Sequence, residues 1–424
     1  MKEYFLQYIW ENSLFDSSSL KTSEGEKIII HKVGERNTNS GPDFFNSEIT
    51  IGTIRWVGNI EIHINSSDWN AHKHFLEASY DNVILHVVLK NTFSVSTSKN
   101  RQIPTLEMKG IIFENIKDNY QKLMKREDYP ICHSQIKEVD KFLIYTQMEK
   151  VLEERLEMKS EIVKQMLDKT KNDWESALYD LILESFGLKI NTIPMEMLSE
   201  NLPYSVIRKH KNNLEQLNSL FFGVAGFLNS ANDEYSINLK KEYDYLKYKY
   251  KLEEVKKESW KFLRLRPANF PTIRLAQLSA LFFNNESLFS KIKNLKSAKE
   301  IRKLFDLELE KYWDTHYILD KESVFKKKKL GKSTIEIIII NAIVPLFYQY
   351  GKVHTDFSNF SVELLESLKS EKNKVVSKFY HFPIQIDSAA KSQSLIQLYN
   401  EYCSQKKCLN CGIGIHLLKH NEII

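Results

Sequence analysis

"SGPDFFNSEITIGTIRWVGNIEIHINSSDW" (40–69) is the stretch that decides the fold of the N-terminal part of this chain. Residues 44–52 and 53–65 alternate apolar and polar side chains, which is the pattern of β-strands with one buried face. A Gly-Thr pair forms a tight connection between them. In the second run the isoleucines share one face, and Glu61 and His63 lie on the other. The stretch therefore predicts two paired strands with polar groups on one face.

Strand-like and helical patterns continue on both sides of this hairpin. A β-branched run covers 26–34, and apolar runs of strand length cover 82–91 and 103–109. Helical spacing covers 4–14 and 68–80. A helix between two strands is the usual crossover into parallel pairing. The predicted order is helix, three strands, helix, strand.

The rest of the chain is predicted to be mainly helical, which makes the fold class α+β. We expect an αβ domain over 1–135 and a helical domain, which also carries a cysteine cluster, over 136–424. Asp173 is an N-cap signal and Gly187 a C-cap signal for one of the helices. The predicted helices are 140–170, 173–187, 204–229, 235–260, 271–283, 296–312, 333–349, 360–369 and 390–402.

Length and composition indicate a globular protein with more than one core. The chain has 424 residues, too many for one ordinary core, and a formal net charge of +5. This mild positive charge is compatible with a nucleic-acid partner. No signal-peptide pattern is visible, and the apolar stretch 335–347 is shorter than the ~18–20 residues that span a bilayer. We expect a cytoplasmic protein without a membrane partner.

The hairpin region contains two carboxylates that are candidate metal ligands. Pro42-Asp43 precedes the first strand, and Glu61-Ile62-His63 lies on the second. Phosphodiester hydrolysis uses a hard cation that polarises the phosphate and lowers the pKa of the attacking water. Mg²⁺ prefers oxygen ligands and keeps several waters, so two carboxylates suffice. Asp43 and Glu61 are therefore candidate catalytic residues and ligands for Mg²⁺ or Mn²⁺.

The helix-strand-strand-strand-helix-strand order and the Pro-Asp and Glu-x-His positions resemble the PD-(D/E)XK nuclease superfamily. The resemblance implies a restriction-endonuclease-like αβββαβ domain and metal-dependent cleavage of nucleic acid. His63 stands where that superfamily has lysine, and by resemblance it would assist the attacking water. The superfamily often adds an acidic residue from the first helix, for which Glu11 is the candidate and Glu48 a second one.

Two alternatives to an active nuclease remain open at this point. The domain can be a non-catalytic nucleic-acid- or protein-binding module on a degenerate nuclease scaffold. It can also have a different αβ fold in which Asp43 merely caps a turn.

A histidine-based metal site is a rival interpretation of the same region. His63, Asp68, His72, His74 and His86 fall within 24 residues. His63, Asp68 and His72 can bind Zn²⁺ or a redox metal. His72 and His74 are two positions apart on a predicted helix, so they should face different ways and cannot both be ligands easily.

Three of the four cysteines lie within nine residues near the C-terminus. In a large cytosolic chain such clustering favours a metal over a disulfide. The candidate ligands are Cys132, Cys403, Cys408 and Cys411. His133 and His416 are alternatives for the fourth ligand, and thiols packed as small apolar residues are the simpler interpretation. The pattern resembles the iron–sulfur staple of RecB-like nucleases, although there the distant cysteine precedes the nuclease core. Spacing alone does not separate Zn²⁺ from an iron–sulfur cluster.

Basic residues provide candidate phosphate contacts in the helical part. Arg264, Arg266 and Arg274 flank two prolines in 260–282, where exposed backbone amides and guanidinium groups suit phosphate. The same residues also suit pairing with acidic groups at a domain interface. The run 325–332 is either a solvated basic linker or a further phosphate patch.

Sequence blocks spread over nearly the whole chain resemble an uncharacterised bacterial family, domain of unknown function 2851. The blocks are "SGPDFFNSEITIG", "WVGNIEIHINSSDWNAHKH", "YDNVILHVV", "LFFGVAGFL", "RLRPANFPTIRLAQL" and "CLNCGIG". This resemblance implies kinship and carries no activity with it. The nuclease hypothesis rests on the residues named above.

Overall fold

The computed structural model describes residues 2–125 and 130–420 and has an α+β fold. The chain divides into two compact units. The first consists of Met1–Gln147, Lys378–Ile384 and Leu398–Ile424, and the second of Met148–Ser377 and Gln385–Gln397. The first unit contains the large sheet, and the second is mainly helical. The division expected from the sequence was consecutive, whereas the first unit also includes two segments from the C-terminal part.

The strands and helices follow in chain order. The strands are β1 (Ile28–Lys32), β2 (Glu35–Arg36), β3 (Phe44–Ile51), β4 (Ile54–Asn65), β5 (Val83–Lys90), β6 (Val95–Ser96), β7 (Gln102–Ile103), β8 (Thr105–Glu107), β9 (His316–Ile318) and β10 (Lys321–Glu322). The helices are α1 (Glu3–Glu11), α2 (Asp68–Ala71), α3 (Glu114–Lys125), α4 (Lys141–Lys169), α5 (Trp174–Phe186), α6 (Thr192–Asn201), α7 (Tyr204–His210), α8 (Leu214–Val224), α9 (Glu234–Tyr250), α10 (Pro271–Asn284), α11 (Leu288–Lys293), α12 (Ala298–Lys303), α13 (Lys332–Ile338), α14 (Val344–Gly351), α15 (Phe360–Ser367), α16 (Ala389–Gln397) and α17 (Gly412–His420).

The large sheet has the strand order β1-β3-β4-β5-β8, with β2 also paired to β3. β3 pairs antiparallel with β1 and β4, whereas β4–β5 and β5–β8 are parallel. The hairpin predicted from the alternating pattern is present, because Ile51 pairs with Ile54. In the parallel register Glu61 lies opposite His86. The predicted crossover into a parallel strand is therefore observed.

The prediction of a single helix over 68–80 is wrong. The segment forms α2, followed by 3-10 turns at His74–Leu76 and Ala78–Tyr80. Lys73 adopts a left-handed conformation with φ of 62° between them. A left-handed residue ends the run of helical hydrogen bonds. Helical spacing of apolar residues does not report such a break.

The apolar face of the sheet packs against α1. Ile60 and Ile62 of β4 belong to one buried cluster with Phe5 and Trp10 of α1. Leu418 from α17 belongs to the same cluster, which is why this C-terminal helix is part of the first unit. Burying one such side chain contributes roughly 1.5–3 kcal/mol. The isoleucine face of β4 was correctly assigned to the core.

The second unit has its own apolar core and confirms most of the predicted helices. The Asp173 carboxylate caps α5 by accepting the backbone N–H groups of Glu175 and Ser176, both at 3.1 Å. The helix predicted over 204–229 is two helices, α7 and α8, and the helix predicted over 296–312 is only the short α12. The helix predicted over 235–260 ends at Tyr250, where the next residue is left-handed.

The apolar stretch 335–347 is part of a longer helical segment than expected. Residues Lys332–Gly351 form 20 helical residues, with a π-helical turn at Ile339–Ile343 just before Pro345. Proline cannot donate a backbone hydrogen bond, and a π turn accommodates the missing bond. In the described part of the chain this is the one helix long and apolar enough to cross a membrane, but 72% of its apolar 18-residue window is buried inside the protein.

Candidate metal centre

Glu61 and His63 lie on the polar face of β4, and both are buried. Their side chains are 5% and 1% exposed. Residues 68–80 cover this face of the sheet, with Trp69 fully buried among the rings around His63. Burying a carboxyl or an imidazole is costly unless polar partners are present. The partners of these two residues therefore define the site.

Asp43 and Glu61 are held side by side through reciprocal backbone hydrogen bonds. The backbone N–H of Asp43 donates to Glu61 Oε2 at 3.0 Å, and the backbone N–H of Ile62 donates to Asp43 Oδ2 at 3.0 Å. Gln7 Nε2 on α1 donates to the other Asp43 oxygen at 2.8 Å. Asp43 thus reaches across to β4 with its side chain, and the two carboxylates predicted from the sequence lie next to each other.

The proximity of these carboxylates is electrostatically unfavourable without a cation. Burial and the charge of Asp43 raise the pKa of Glu61 to about 9. Burial also raises the pKa of Asp43. Burial and the charges of Asp43 and Asp68 raise the pKa of Glu3, on α1, to about 7. A bound divalent cation reverses this balance, because it stabilises the ionised carboxylates.

Three histidines converge on the opposite side of Glu61. Glu61 Oε1 lies 3.5 Å from His63 Nε2 and 3.3 Å from His74 Nε2. His63 Nε2 lies 3.2 Å from His72 Nδ1. One ligand nitrogen from each histidine lies within 4.8 Å of the other two. The expectation that His72 and His74 face different ways is wrong, because the left-handed Lys73 turns the chain between them.

His63 is a neutral imidazole in this environment. Burial and the neighbouring histidines lower the pKa of His63 to about 2. Burial also lowers the pKa of His86, whose Nε2 is 2.9 Å from His63 Nδ1, to about 3. His63 therefore does not supply the positive charge of the lysine that it replaces in the nuclease comparison. A neutral imidazole is the form that binds metals or accepts a proton.

The remaining acidic candidates have other partners. Glu11 forms an ion pair with Arg36 at 3.1 Å, and Glu48 pairs with Arg55. The α1 carboxylate whose pKa responds to Asp43 is Glu3. Glu3 precedes Gln7 by one helical turn, so both lie on the α1 face toward Asp43. Glu11 follows Gln7 by the same spacing, so the sequence alone does not select Glu3.

Asp68 begins α2 and caps the preceding loop. Its carboxylate accepts the backbone N–H of Asn65 at 2.9 Å. The rival interpretation placed Asp68 with His63 and His72 as metal ligands. In the structure the carboxylate nearest these histidines is that of Glu61.

The three arginines lie in the second unit. Arg274 is 3% exposed, and its guanidinium donates to Gln277 and Asn269, both at 2.7 Å. Burial lowers the pKa of Arg274 to about 10. Arg264 and Arg266 are exposed. Phosphate contact by these arginines stays a prediction, and the partners of Arg274 indicate a structural role for that residue.

All four cysteines line one small cavity in the first unit. The other lining residues are Ile131, Tyr402 and Gly414. The four residues are present as thiols. The sequence left Cys132 as one of three possible fourth ligands, and the structure brings Cys132 to the C-terminal three. A Cβ at Gly414 would lie 2.3 Å from the Cys408 carbonyl oxygen, so this close approach requires glycine.

The cysteine cavity is poorly solvated. Burial, followed by the neighbouring cysteines, raises the pKa of Cys403, and burial and Cys411 raise the pKa of Cys408 to about 12. Clustered buried thiols stay protonated unless a metal binds the thiolates. The four cysteines therefore share one small cavity, and a metal or cluster bound there stays a prediction.

Comparison with known proteins gives one match. The model of a family described as "Protein of unknown function (DUF2851)" matches residues 3–374. The matched range includes the carboxylates, the histidines and Cys132. No curated protein and no solved structure matched the chain.

Proposed function

This chain belongs to that family of unknown function, and we propose from its site that it is a divalent-metal-dependent phosphodiester hydrolase acting on nucleic acid. The observation that carries the proposal is the reciprocal hydrogen bonding that holds Asp43, just before β3, beside Glu61 on β4. A buried carboxylate, Glu61, beside a half-buried one, Asp43, is costly, and a cation relieves that cost. An enzyme that hydrolyses phosphodiesters needs such a cation site.

The strand arrangement supports a nuclease-like fold as part of the proposal. An antiparallel β1-β3-β4 set followed by a parallel β5, with α1 packed on the sheet, is the arrangement expected of an αβββαβ domain. Asp43 directly precedes β3, and Glu61 lies within β4, as the superfamily pattern requires. The position of these carboxylates on the sheet, more than the motif itself, supports the comparison.

Each residue of the site has a distinct role in the proposed reaction. Asp43 and Glu61 hold Mg²⁺ or Mn²⁺, which when bound polarises the phosphate and lowers the pKa of a water. Gln7 and the Ile62 backbone N–H orient the Asp43 carboxylate. His63, being neutral, positions or deprotonates a water rather than supplying positive charge. Glu3 adds a third carboxylate at the edge of the site.

The substrate class rests on the charge of the chain. The net charge of +5 and the exposed Arg264 and Arg266 favour a polyanionic substrate. These features support nucleic acid and do not distinguish DNA from RNA.

One observation favours a second candidate function, a non-catalytic nucleic-acid-binding module. His63 replaces the lysine of the superfamily and carries no charge. A site that lacks this positively charged lysine side chain can retain a metal and bind nucleic acid without cleaving it. Binding without turnover in the presence of Mg²⁺ and Mn²⁺ is the result that would favour this candidate.

We also propose that the four-cysteine cavity holds Zn²⁺ or an iron–sulfur cluster with a structural role. The support is the gathering of Cys132, from the N-terminal segment, with three cysteines of the C-terminal segment. A four-thiolate set fits either group. The same C-terminal segment contributes Leu409 and Leu418 to the core that contains α1. A metal there would hold α1, and with it Gln7 and Glu3, in place.

The test is a cleavage assay with the purified full-length protein. Single- and double-stranded DNA and RNA are incubated with Mg²⁺ or Mn²⁺, using wild type, Asp43→Asn and the matched control Asp118→Asn, an exposed residue of α3. Cleavage should fall by at least about 100-fold in Asp43→Asn and be unchanged in Asp118→Asn. Equal cleavage by wild type and Asp43→Asn would refute the proposed site.

A further inference from the structure

The geometry points to a second metal position beside the Asp43–Glu61 pair, formed by Glu61, His63, His72 and His74 and suited to a transition-metal dication, Zn²⁺ above all. It rests on the proposed function in that Glu61 is shared between the two positions, and His63, when its Nε2 binds Zn²⁺, would act as a ligand and not on the water. Binding of a metal ion by the histidines can be tested independently of whether the protein cleaves nucleic acid.

Three of the six separations among the four ligand atoms fit one tetrahedral ion, and the three histidine nitrogens lie within 4.8 Å of one another. A tetrahedral Zn²⁺ with ligands at about 2.0–2.1 Å has ligand atoms about 3.3–3.4 Å apart. The observed separations are 3.5 Å from Glu61 Oε1 to His63 Nε2, 3.3 Å from Glu61 Oε1 to His74 Nε2, and 3.2 Å from His63 Nε2 to His72 Nδ1. Three edges of one tetrahedron thus have the expected length.

His74 is a buried side chain that points into this position without hydrogen bonds. It is 7% exposed, and within the described residues neither of its ring nitrogens makes a hydrogen bond. Buried polar groups in proteins almost always have a partner. The contact of its Nε2 with Glu61 is an approach at 3.3 Å, which a shared cation would convert into two ligand bonds.

Neighbouring side chains fix the orientation of the ligands. Nδ1 of His63 is bound to His86 at 2.9 Å, which directs Nε2 of His63 toward Glu61 and His72. The His74 ring stacks on Tyr80 with centroids 3.8 Å apart and meets Trp69 edge-on. Such supporting contacts are typical of metal-binding histidines, because they fix the tautomer and the ring plane.

The chemistry of the ligands selects the metal. Imidazole suits Zn²⁺, Fe²⁺ and similar ions, whereas Mg²⁺ prefers an all-oxygen environment. Glu61 faces Asp43 with Oε2 and the histidines with Oε1. The two sides of one carboxylate therefore present an oxygen-rich position and a nitrogen-rich position. Paired ions that share a carboxylate are a known arrangement for phosphoryl chemistry.

The experiment measures binding of Zn²⁺ and Co²⁺ to the full-length protein after removal of metals with a chelator. His72→Ala is the principal variant, because His72 is exposed and its removal should leave the fold intact. His74→Ala is the second variant. His31→Ala is the matched control, an exposed histidine of β1 in the same sheet. Binding is followed by competition with a chromophoric chelator, and Co²⁺ by its visible absorption.

We expect His72→Ala and His74→Ala to weaken Zn²⁺ binding at one site by at least about 10-fold, with His31→Ala equal to wild type. The thiolate-dependent near-ultraviolet absorption of Co²⁺ should not change in these variants, which separates this position from the cysteine cavity. Unchanged Zn²⁺ stoichiometry and affinity in both variants would overturn the inference.

Cleavage data keep this inference distinct from the proposed function. Loss of Zn²⁺ binding in His72→Ala, in a protein that never cleaves nucleic acid, supports the histidine position and refutes the enzyme. Cleavage that depends on Asp43, with Zn²⁺ binding unaffected in both histidine variants, supports the enzyme and refutes the histidine position.

Discussion

The carboxylate of Glu61 and the imidazole of His74 are 3.3 Å apart, although they belong to different elements of the fold. Glu61 lies within β4, and His74 begins a 3-10 turn that follows the left-handed Lys73. The other oxygen of Glu61 accepts the backbone N–H of Asp43. Glu61 is thus the residue on which both proposed metal positions depend, and it is the most informative residue to change.

Glu61→Gln should remove metal binding without weakening the metal-free fold. Because the pKa of Glu61 is raised to about 9, the side chain is protonated at pH 7 without metal, and glutamine imitates that neutral form. A ligand at 100 times its Kd stabilises a protein by about 2.7 kcal/mol. We expect the wild-type Tm to rise on addition of Mn²⁺, which suits carboxylates rather than thiolates, and the variant Tm to stay constant.

The control for this measurement is Glu48→Gln, since Glu48 pairs with Arg55 away from the histidines. Its Tm should respond to metal as the wild type does. A metal-induced rise in Tm that persists in Glu61→Gln would contradict the role assigned to Glu61.

Gln7→Ala tests a positioning residue. Gln7 donates to Asp43 at 2.8 Å and accepts from Arg36 at 2.9 Å, so its loss leaves the Asp43 carboxylate less well oriented. Loss of such a supporting contact typically costs 10–100-fold in metal affinity or activity. We expect the metal concentration for half-maximal activity to rise about 10-fold, with activity largely restored at saturating Mn²⁺. The control is Gln102→Ala, which changes an exposed glutamine of β7. A loss of activity in Gln7→Ala that excess metal does not restore would argue against a positioning role for Gln7.

The stability of the second unit should depend on pH through Asp180 in α5. Burial and the charge of Glu184 raise the pKa of Asp180 to about 7, above the value of about 3.9 for an unfolded chain. The folded state therefore binds this proton more tightly, and stability is lost as the pH rises from about 4 to about 7. Asp180→Asn should have a higher Tm than wild type at pH 8 and a similar Tm near pH 4.

The comparison for this prediction is Asp168→Asn, an exposed position of α4. Asp168→Asn should change the Tm by the same small amount at pH 4 and at pH 8. An Asp180→Asn variant whose Tm difference from wild type does not grow between pH 4 and pH 8 would show that burial of Asp180 is not costly.

Cys132→Ser tests whether the four thiols act as one site. Because Cys132 lines the same cavity as the three C-terminal cysteines, we expect the variant to lose the metal or cluster that anaerobically purified wild type retains. Its Tm should fall as well, since a bound structural metal contributes directly to folding. Metal analysis with a visible spectrum separates an iron–sulfur cluster from colourless Zn²⁺. Wild-type protein without metal, and with a Tm equal to that of Cys132→Ser, would show that the thiols are only packed side chains.

Much of the local structure could be predicted from local patterns in the sequence. The alternation over 44–52 and 53–65 specified β3, β4 and the buried isoleucine face, because side chains along a strand alternate with a period of two. The Asp173 cap was predictable because capping depends on residues within one turn. Membership of the family also followed from sequence blocks alone.

The positions of the functional side chains required the tertiary structure. His72 and His74 meet near Glu61 because Lys73 is left-handed, a conformation that helical spacing does not report. The choice of Glu3 over Glu11 depended on which face of α1 lies toward Asp43.

The sequence by itself determined the strands, the candidate ligands Asp43 and Glu61 on one hairpin, and a cluster of three C-terminal cysteines. Only the tertiary structure decided that Asp43 and Glu61 lie side by side, that Cys132 joins the three cysteines, and that Glu61 and His63 are buried. The physical reason is the distance along the chain over which each interaction acts. Alternation and capping depend on neighbours along the chain, whereas burial and convergence of side chains depend on how distant segments pack.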